Sequence, residues 1–143
     1  MKKEFIPYEQ ALALKELEFD EPCVAFYYGQ LNRLEIGFNW LNEGCKNSLL
    51  EDITSAPLYQ QAFRWFREKY GLVIQYIPSE LDNSEGQSIL HHQYKISEHD
   101  SWRGGRRNTV ETELNEDYEE AELACLKKLI EIVKNAKNSN IEL

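Results

Sequence analysis

The sequence predicts an α+β fold: a single, mostly antiparallel sheet of about four to six strands with three helices packed mainly on one face. Two observations predict it. A short phrase recurs, YEQA at Tyr8–Ala11, YQQA at Tyr59–Ala62 and YEEA at Tyr118–Ala121, and each copy opens an apolar run with helical spacing. Between the copies the chain is rich in β-branched and aromatic residues, and parts of it alternate apolar with polar. The element order is then α-β-β-α-β-β-(β)-α, compatible with a duplicated αββ unit closed by a third helix. A single domain over residues 1–137 accounts for all of it, with 138–143 as a frayed tail.

The elements follow in order. Pro7 suits the first turn of a helix, where its missing N–H costs nothing. Ala11, Leu12, Leu14 and Leu17 oppose Glu9, Gln10, Lys15, Glu16 and Glu18, the pattern of an amphipathic helix of about three turns. Pro22 disfavours helical geometry at the residue before it, so Asp20-Glu21-Pro22 is the expected terminator. Cys23–Gly29 (CVAFYYG) reads as a central strand buried on both faces. After a turn at Gly29–Asn32, Arg33–Trp40 alternates strictly and should pair with it as a hairpin. Leu41–Ala56 is loop-like.

Pro57 opens the second helix, with Tyr59, Ala62, Phe63, Phe66 and Tyr70 inward and Gln60, Gln61, Arg64, Arg67 and Glu68 in water. Gly71 is its left-handed stop. Leu72–Ile77 is a strand ended by Pro78, and Ser79–Gln87 is a polar turn region. Ile89–Ile96 is the next strand, its apolar face carrying Leu90, His92, Tyr94 and Ile96. A further hairpin joins SWR to RRNTVETE through Gly104-Gly105. Asp117 caps the third helix, with Glu120 three residues on, and its acids precede its lysines as the helix dipole prefers.

Composition narrows the functional classes. A chain of 143 residues, 42% hydrophobic, builds a core without a metal or disulfide staple. With 25 acidic against 16 basic residues the net charge is −9, which repels nucleic acids and anionic membranes. Direct nucleic-acid binding and membrane partners are therefore not expected. The charge serves solubility, or, in a sharper reading, makes a surface that mimics DNA and blocks a nucleic-acid enzyme. Cys23, Cys45 and Cys125 are odd in number and scattered, which is neither a disulfide framework nor a zinc pattern. No cofactor and no metal are implied, and the chain reads as reduced and cytosolic, with Cys23 and Cys125 buried. The opening MKKEFIPYEQ is not followed by an apolar stretch of signal-peptide length, and nothing approaches a membrane span.

Three blocks, FIPYEQALALKELEFDEPC (Phe5–Cys23), APLYQQAFRWFREKYGL (Ala56–Leu72) and YEEAELACLKKLIEIVKN (Tyr118–Asn135), cover more than a third of the chain. In them the sequence resembles a family of small uncharacterised proteins from bacteriophages and Bacteroidetes-type genomes. The resemblance implies a phage or mobile-element origin and work inside a bacterial cell, hence a cytoplasmic location. It implies no activity and no catalytic residues.

Few residues suggest chemistry. His92, on an apolar strand face, is either a ligand or general base or a hydrogen-bonded core histidine, while His91 lies on the opposite face, so the two make a poor metal pair. Glu98–Arg107 (EHDSWRGGRR) concentrates Arg103, Arg106 and Arg107 beside Trp102 and His99 in an otherwise acidic chain. Arginine forks and an aromatic ring suit a nucleotide-like anion, and a solvated hairpin tip with arginines paired to Glu111 and Glu113 suits the same residues. His99-Asp100-Ser101 is contiguous, unlike a triad whose members converge from separate elements. The acidic run through Glu119 and Glu120 stabilises a helix start, or imitates phosphates toward a partner. Tyr27 and the other aromatics of Cys23–Gly29 offer a partner-binding or homodimer surface if one sheet face is left bare.

Together these readings describe a small binding protein without catalytic activity that acts through contact with a host or phage protein. The alternative is a binder that sequesters a nucleotide-like signal with Trp102, Arg103, Arg106, Arg107 and His99. A further alternative is the acidic DNA mimic.

Overall fold

The computed structural model describes residues 2–29, 33–37, 46–47, 52–100 and 105–138, the side chains of 2, 100 and 105–108 excepted. The chain is α+β and divides into two compact units, Met1–Ala62 and Phe63–Leu143.

The first unit begins with a 3-10 turn, Lys2–Glu4, and helix α1 (Tyr8–Glu16). Pro7 stands at its N-cap, as its fixed φ allows. The helix stops six residues before Pro22. The Phe19 N–H donates to the Leu14 carbonyl and the Glu18 N–H to the Lys15 carbonyl, both at 3.0 Å, and Glu18 takes φ 70°. This is a Schellman end, closed by the buried pair Leu14 and Phe19, with glutamate in the left-handed position that glycine normally fills. Terminal hydrogen bonds end this helix, not the proline. A side chain with a Cβ is strained there by about 1 kcal/mol. Glu18→Gly is therefore expected to raise the melting temperature by roughly 2–4 °C. A thermal melt showing no change or a fall would refute this account of the helix end.

Three strands follow: β1 (Ala25–Tyr28), β2 (Leu34–Ile36) and β3 (Ile53–Ser55), all antiparallel with β1 in the centre. The expected β1–β2 hairpin forms, with Ala25 opposite Ile36; Phe38–Trp40 of the predicted strand lie outside the described residues. β1 is central but not buried on both faces. Ala25 and Tyr27 point into the core, whereas Val24 and Tyr28 are 61% and 54% exposed. β3 comes from a stretch predicted to be loop. Its three residues are all buried, and the Asn47 side chain ties it down, accepting from the Ser55 N–H and donating to the Phe19 carbonyl.

Helix α2 (Tyr59–Tyr70) starts in the first unit and ends in the second. Most of its periodicity is as predicted: Tyr59, Ala62, Phe63 and Phe66 are buried, with Trp65 beside them, and Gln60, Arg64, Arg67 and Glu68 are exposed, whereas Tyr70 and Gln61 are half-buried, the Gln61 side chain donating to the Pro22 carbonyl at 2.9 Å. Gly71, at φ 67°, stops it, its N–H donating to the Arg67 carbonyl.

The second unit continues with β4 (Leu72–Asp82), β5 (Ser88–Asp100) and β6 (Gly105–Glu111), again antiparallel, with β5 central. Pro78 does not end β4. It lies within the strand opposite His92, and His92 exchanges backbone hydrogen bonds with Asn115 on the far side of β5. Pro78 and His92 thus form a non-hydrogen-bonded pair, and the position of the missing N–H faces out of the sheet edge. An edge strand tolerates proline there. The polar turn consequently shrinks to Asn83–Gln87, where the Asn83 Oδ1 accepts from the N–H groups of Glu85 and Gln87. β6 carries a bulge between its pairings with Ser97 and Glu98. Helix α3 (Tyr118–Asn138) completes the unit and reaches Asn138, the first residue of the expected tail. Asp117 caps it, accepting from the Glu119 N–H at 2.9 Å.

One expected sheet is therefore two sheets of three strands. β1 has β2 and β3 as its two neighbours, and among the described residues β4, β5 and β6 pair only with one another. Among the described residues three strands follow α1 and three follow α2, not αββ twice. The central strand is the first in one sheet and the second in the other, so the two arrangements are not copies.

Candidate functional site

β5 organises the best-defined constellation of polar and aromatic side chains. Alternation puts Leu90, His92, Tyr94 and Ile96 on one face, and the register puts Tyr76, Pro78 and Glu80 of β4 beside them. β6 stops pairing at Glu111, but the next residues still grip β5. The Thr112 N–H donates to the Tyr94 carbonyl and its hydroxyl accepts from the Tyr94 N–H, while Asn115 exchanges two backbone bonds with His92. The Gln93 side chain also donates to the Thr112 carbonyl, at 2.8 Å. These contacts lead straight into Asp117 and α3, so Tyr118 arrives over His92 and Tyr76.

The rings fill the space between these elements. Tyr118 stands edge-on to His92 and to Tyr76, with centroids 5.3 and 5.6 Å apart, and Tyr76 stacks on His92 at 5.8 Å. The Tyr76 hydroxyl and His92 Nδ1 are 2.6 Å apart. The Tyr94 hydroxyl donates to that of Tyr118 at 3.1 Å. Tyr94 is buried, as is Ile96, whereas Tyr76 and Tyr118 are each 38% exposed and Leu90, beyond the reach of α3, is 46% exposed. The result is a closed aromatic platform with a bare rim.

Below it lies Glu122, only 8% exposed although ionisable. It falls on the same α3 face as Ala121, Cys125, Leu126 and Leu129. Burial pushes the Tyr94 hydroxyl well above its ordinary range, the bond to Tyr118 adds to this, and the charges of Tyr118, Glu122 and Cys125 act in the same direction. The Cys125 thiol is pushed far up by burial and then by Glu122. Both groups stay protonated at neutral pH. A protonated buried thiol is a poor nucleophile and a poor ligand.

The residues singled out in the sequence are placed as follows. Trp102 and Arg103 lie outside the described residues. Arg106 and Arg107 are on β6, their backbones opposite His99 and Glu98. His99 is exposed, and its N–H donates to the Gly71 carbonyl. His92 and His99 stand seven residues apart on one strand, about 23 Å by strand rise, so no single centre takes both. His91 is on the opposite face from His92, with Nε2 3.8 Å from Glu116. Tyr27 is buried and donates to the Ile6 carbonyl at 2.8 Å, so its ring belongs to the core of the first unit and Tyr28 beside it faces out. Glu119 and Glu120 are exposed on the first turn of α3, next to Tyr118. Among the described residues no three His, Cys, Asp or Glu side chains are grouped as a metal would require, and no helix is long and apolar enough to cross a membrane.

The sequence placed His92 and Tyr94 on one strand face but did not point to Tyr76, Tyr118 or Glu122 as their company. One signal was present: Glu122 is four residues after Tyr118 and three before Cys125, which puts it on the inner stripe of its helix. Compared with known protein families, curated proteins and solved structures, the chain matches none.

Proposed function

We propose that this chain is a small binding protein without catalytic activity, of the phage host-interaction or accessory kind. It grips a partner protein with the aromatic platform and the distal part of the β4–β5 hairpin. The platform carries this reading: Tyr76 and Tyr118 are held by ring packing and hydrogen bonds, yet over a third of each stays in contact with solvent, beside exposed Pro78 and Leu90. Rigid, half-buried tyrosines lose little entropy on docking and are frequent anchors of protein interfaces.

Charge selects the partner. From Tyr76 to Leu90 there are three acids, Glu80, Asp82 and Glu85, and no lysine or arginine, and Glu119 and Glu120 flank the platform on the α3 side. The complementary surface is apolar at its centre and basic at its rim. A photo-crosslinking residue at position 90 in a bacterial lysate is expected to capture one discrete protein, identified by mass spectrometry. The same residue at exposed position 131 is expected to capture none. With that protein purified, Leu90→Asp should weaken binding at least tenfold, and added salt should weaken it as well. Equal capture from both positions, or unchanged affinity of Leu90→Asp, would end this reading.

A further inference from the structure

We propose that the groove between β6 and α3 takes a basic peptide in extended form, which joins the sheet as a strand along the free edge at residues 109–113. β6 is an outermost strand of its sheet, on the opposite side from β4, so this surface is separate from the aromatic platform. The Thr112 N–H donates to the Tyr94 carbonyl, so Thr112 and, by alternation, Val110 turn their backbone groups toward β5. The N–H and C=O groups of Thr109 and Glu111 therefore face out of the edge. Among the described residues the backbone groups of Thr109, Glu111 and Glu113 make no hydrogen bond, and all three residues are exposed.

An open edge takes a strand only where there is room beside it. Val110, Thr112 and Glu113 on one side and Ala124 and Lys128 of α3 on the other line a groove of about 330 Å³. Val110 lies opposite Ile96, which puts its side chain on the α3 side of the sheet, while Glu111 lies opposite Lys95 on the other side. A peptide strand here has two unlike faces. Its residues opposite Thr109 and Glu111 exchange backbone hydrogen bonds with the edge and hold their side chains beside that of Glu111. Its alternate residues turn toward α3, over Val110 and Ala124, where small apolar side chains fit.

Charge makes the occupant basic. Among the described residues neither Glu111 nor Glu113 makes an ion pair or a side-chain hydrogen bond, although Lys95 stands opposite Glu111 on β5. Lys128 already has the Glu131 carboxylate 3.4 Å away. The edge thus keeps two unpaired acids in a chain of net charge −9, and a lysine or arginine in register with Glu111 supplies the missing partner. A second copy of this chain fits worse. Centred on these residues, its edge sets Glu111 against Glu111, and the bulge of β6 next to Thr109 interrupts the ladder beyond it.

The probe is an end-capped peptide of about eight residues alternating lysine with valine, titrated into the full chain at physiological salt and followed by amide chemical shifts. Binding should saturate and move the signals of Thr109, Glu111, Glu113 and Ala124. Methylating the backbone nitrogens of the lysines, which face the edge, should weaken it about tenfold or more. Methylating those of the valines, which face away, should change it less than about threefold. Ala124→Trp fills the groove and should weaken binding as much as the first methylation, with an unchanged far-ultraviolet dichroism spectrum. Should that variant fail to fold, the two methylated peptides decide alone. Leu90→Asp, on the hairpin beside the platform, should leave the affinity unchanged. The absence of saturable binding overturns the proposal, and so does an equal effect of the two methylations, the mark of charge attraction without strand addition. A loss of affinity with Leu90→Asp overturns it as well, by placing the peptide on the platform.

Discussion

Phe66→Ala is expected to remove about 3–5 kcal/mol of stability, the largest loss from a single side chain in α2. Phe66 is fully buried. Its ring meets Trp65 edge-on at 5.0 Å and Tyr70 at 6.1 Å, and the Lys69 ammonium lies over Trp65 and Tyr70 at 5.1 and 5.6 Å. Deleting the ring costs its transfer energy and leaves a cavity. The walls are aromatic rings held by one another and by Lys69, so they cannot collapse far. Phe66→Leu keeps most of the volume and should cost about 1.5 kcal/mol or less. Urea unfolding followed by tryptophan fluorescence should resolve the two, with Phe66→Ala melting roughly 10 °C or more below the parent. A loss under about 1 kcal/mol for the alanine variant would mean that the ring is not enclosed.

The same helix shows what could be read without a structure. Local signals sufficed for α2: a 3.6-residue period, a glycine stop and a wet face of Gln60, Arg64, Arg67 and Glu68 all appear where expected. Asp117 was legible as a cap for the same reason, because a cap is a contact between near neighbours. The Leu90, His92, Tyr94 and Ile96 face of β5 was legible from alternation alone. What failed depended on partners remote in sequence. Whether Pro78 ends a strand turns on whether that strand is central or at an edge, and only β5 and its hydrogen bonds to Asn115 decide that. The three residues of β3 are too few for a pattern, and they are strand only because β1 lies beside them.

The candidate site was half legible. His92 was visible as an odd residue on an apolar face, but its meaning lies in Tyr76, sixteen residues earlier, and Tyr118, on another element. No local rule joins them. The left-handed Glu18 went unseen because glutamate is the wrong residue for that conformation, and Pro22 nearby offered a ready explanation for the helix end.

Raising the pH should destabilise this protein progressively from about pH 9 upward, more steeply than its net charge alone would cause. Tyr27, Tyr94 and Cys125 all have protonation equilibria shifted upward in the folded state, chiefly by burial. In the unfolded chain the thiol ionises near 9.0 and the phenols near 10.0. Below those values both states hold the protons, and the stability that these neutral groups contribute is fully present. Above them the unfolded state sheds protons that the folded state keeps, so stability falls until the folded groups themselves ionise. Each group then costs about 1.4 kcal/mol per pH unit. Between pH 8 and pH 11, Cys125 and Tyr94 together should remove about 4 kcal/mol, measured by urea unfolding under reducing conditions. Growing negative charge on an already acidic chain acts in the same direction. The discriminating observation is therefore the slope in variants. Tyr94→Phe and Cys125→Ala lower stability at pH 8 through lost contacts, but each should flatten the alkaline slope by about one proton. If both variants lose stability with pH as steeply as the parent, the protons at Tyr94 and Cys125 are not what the folded state protects.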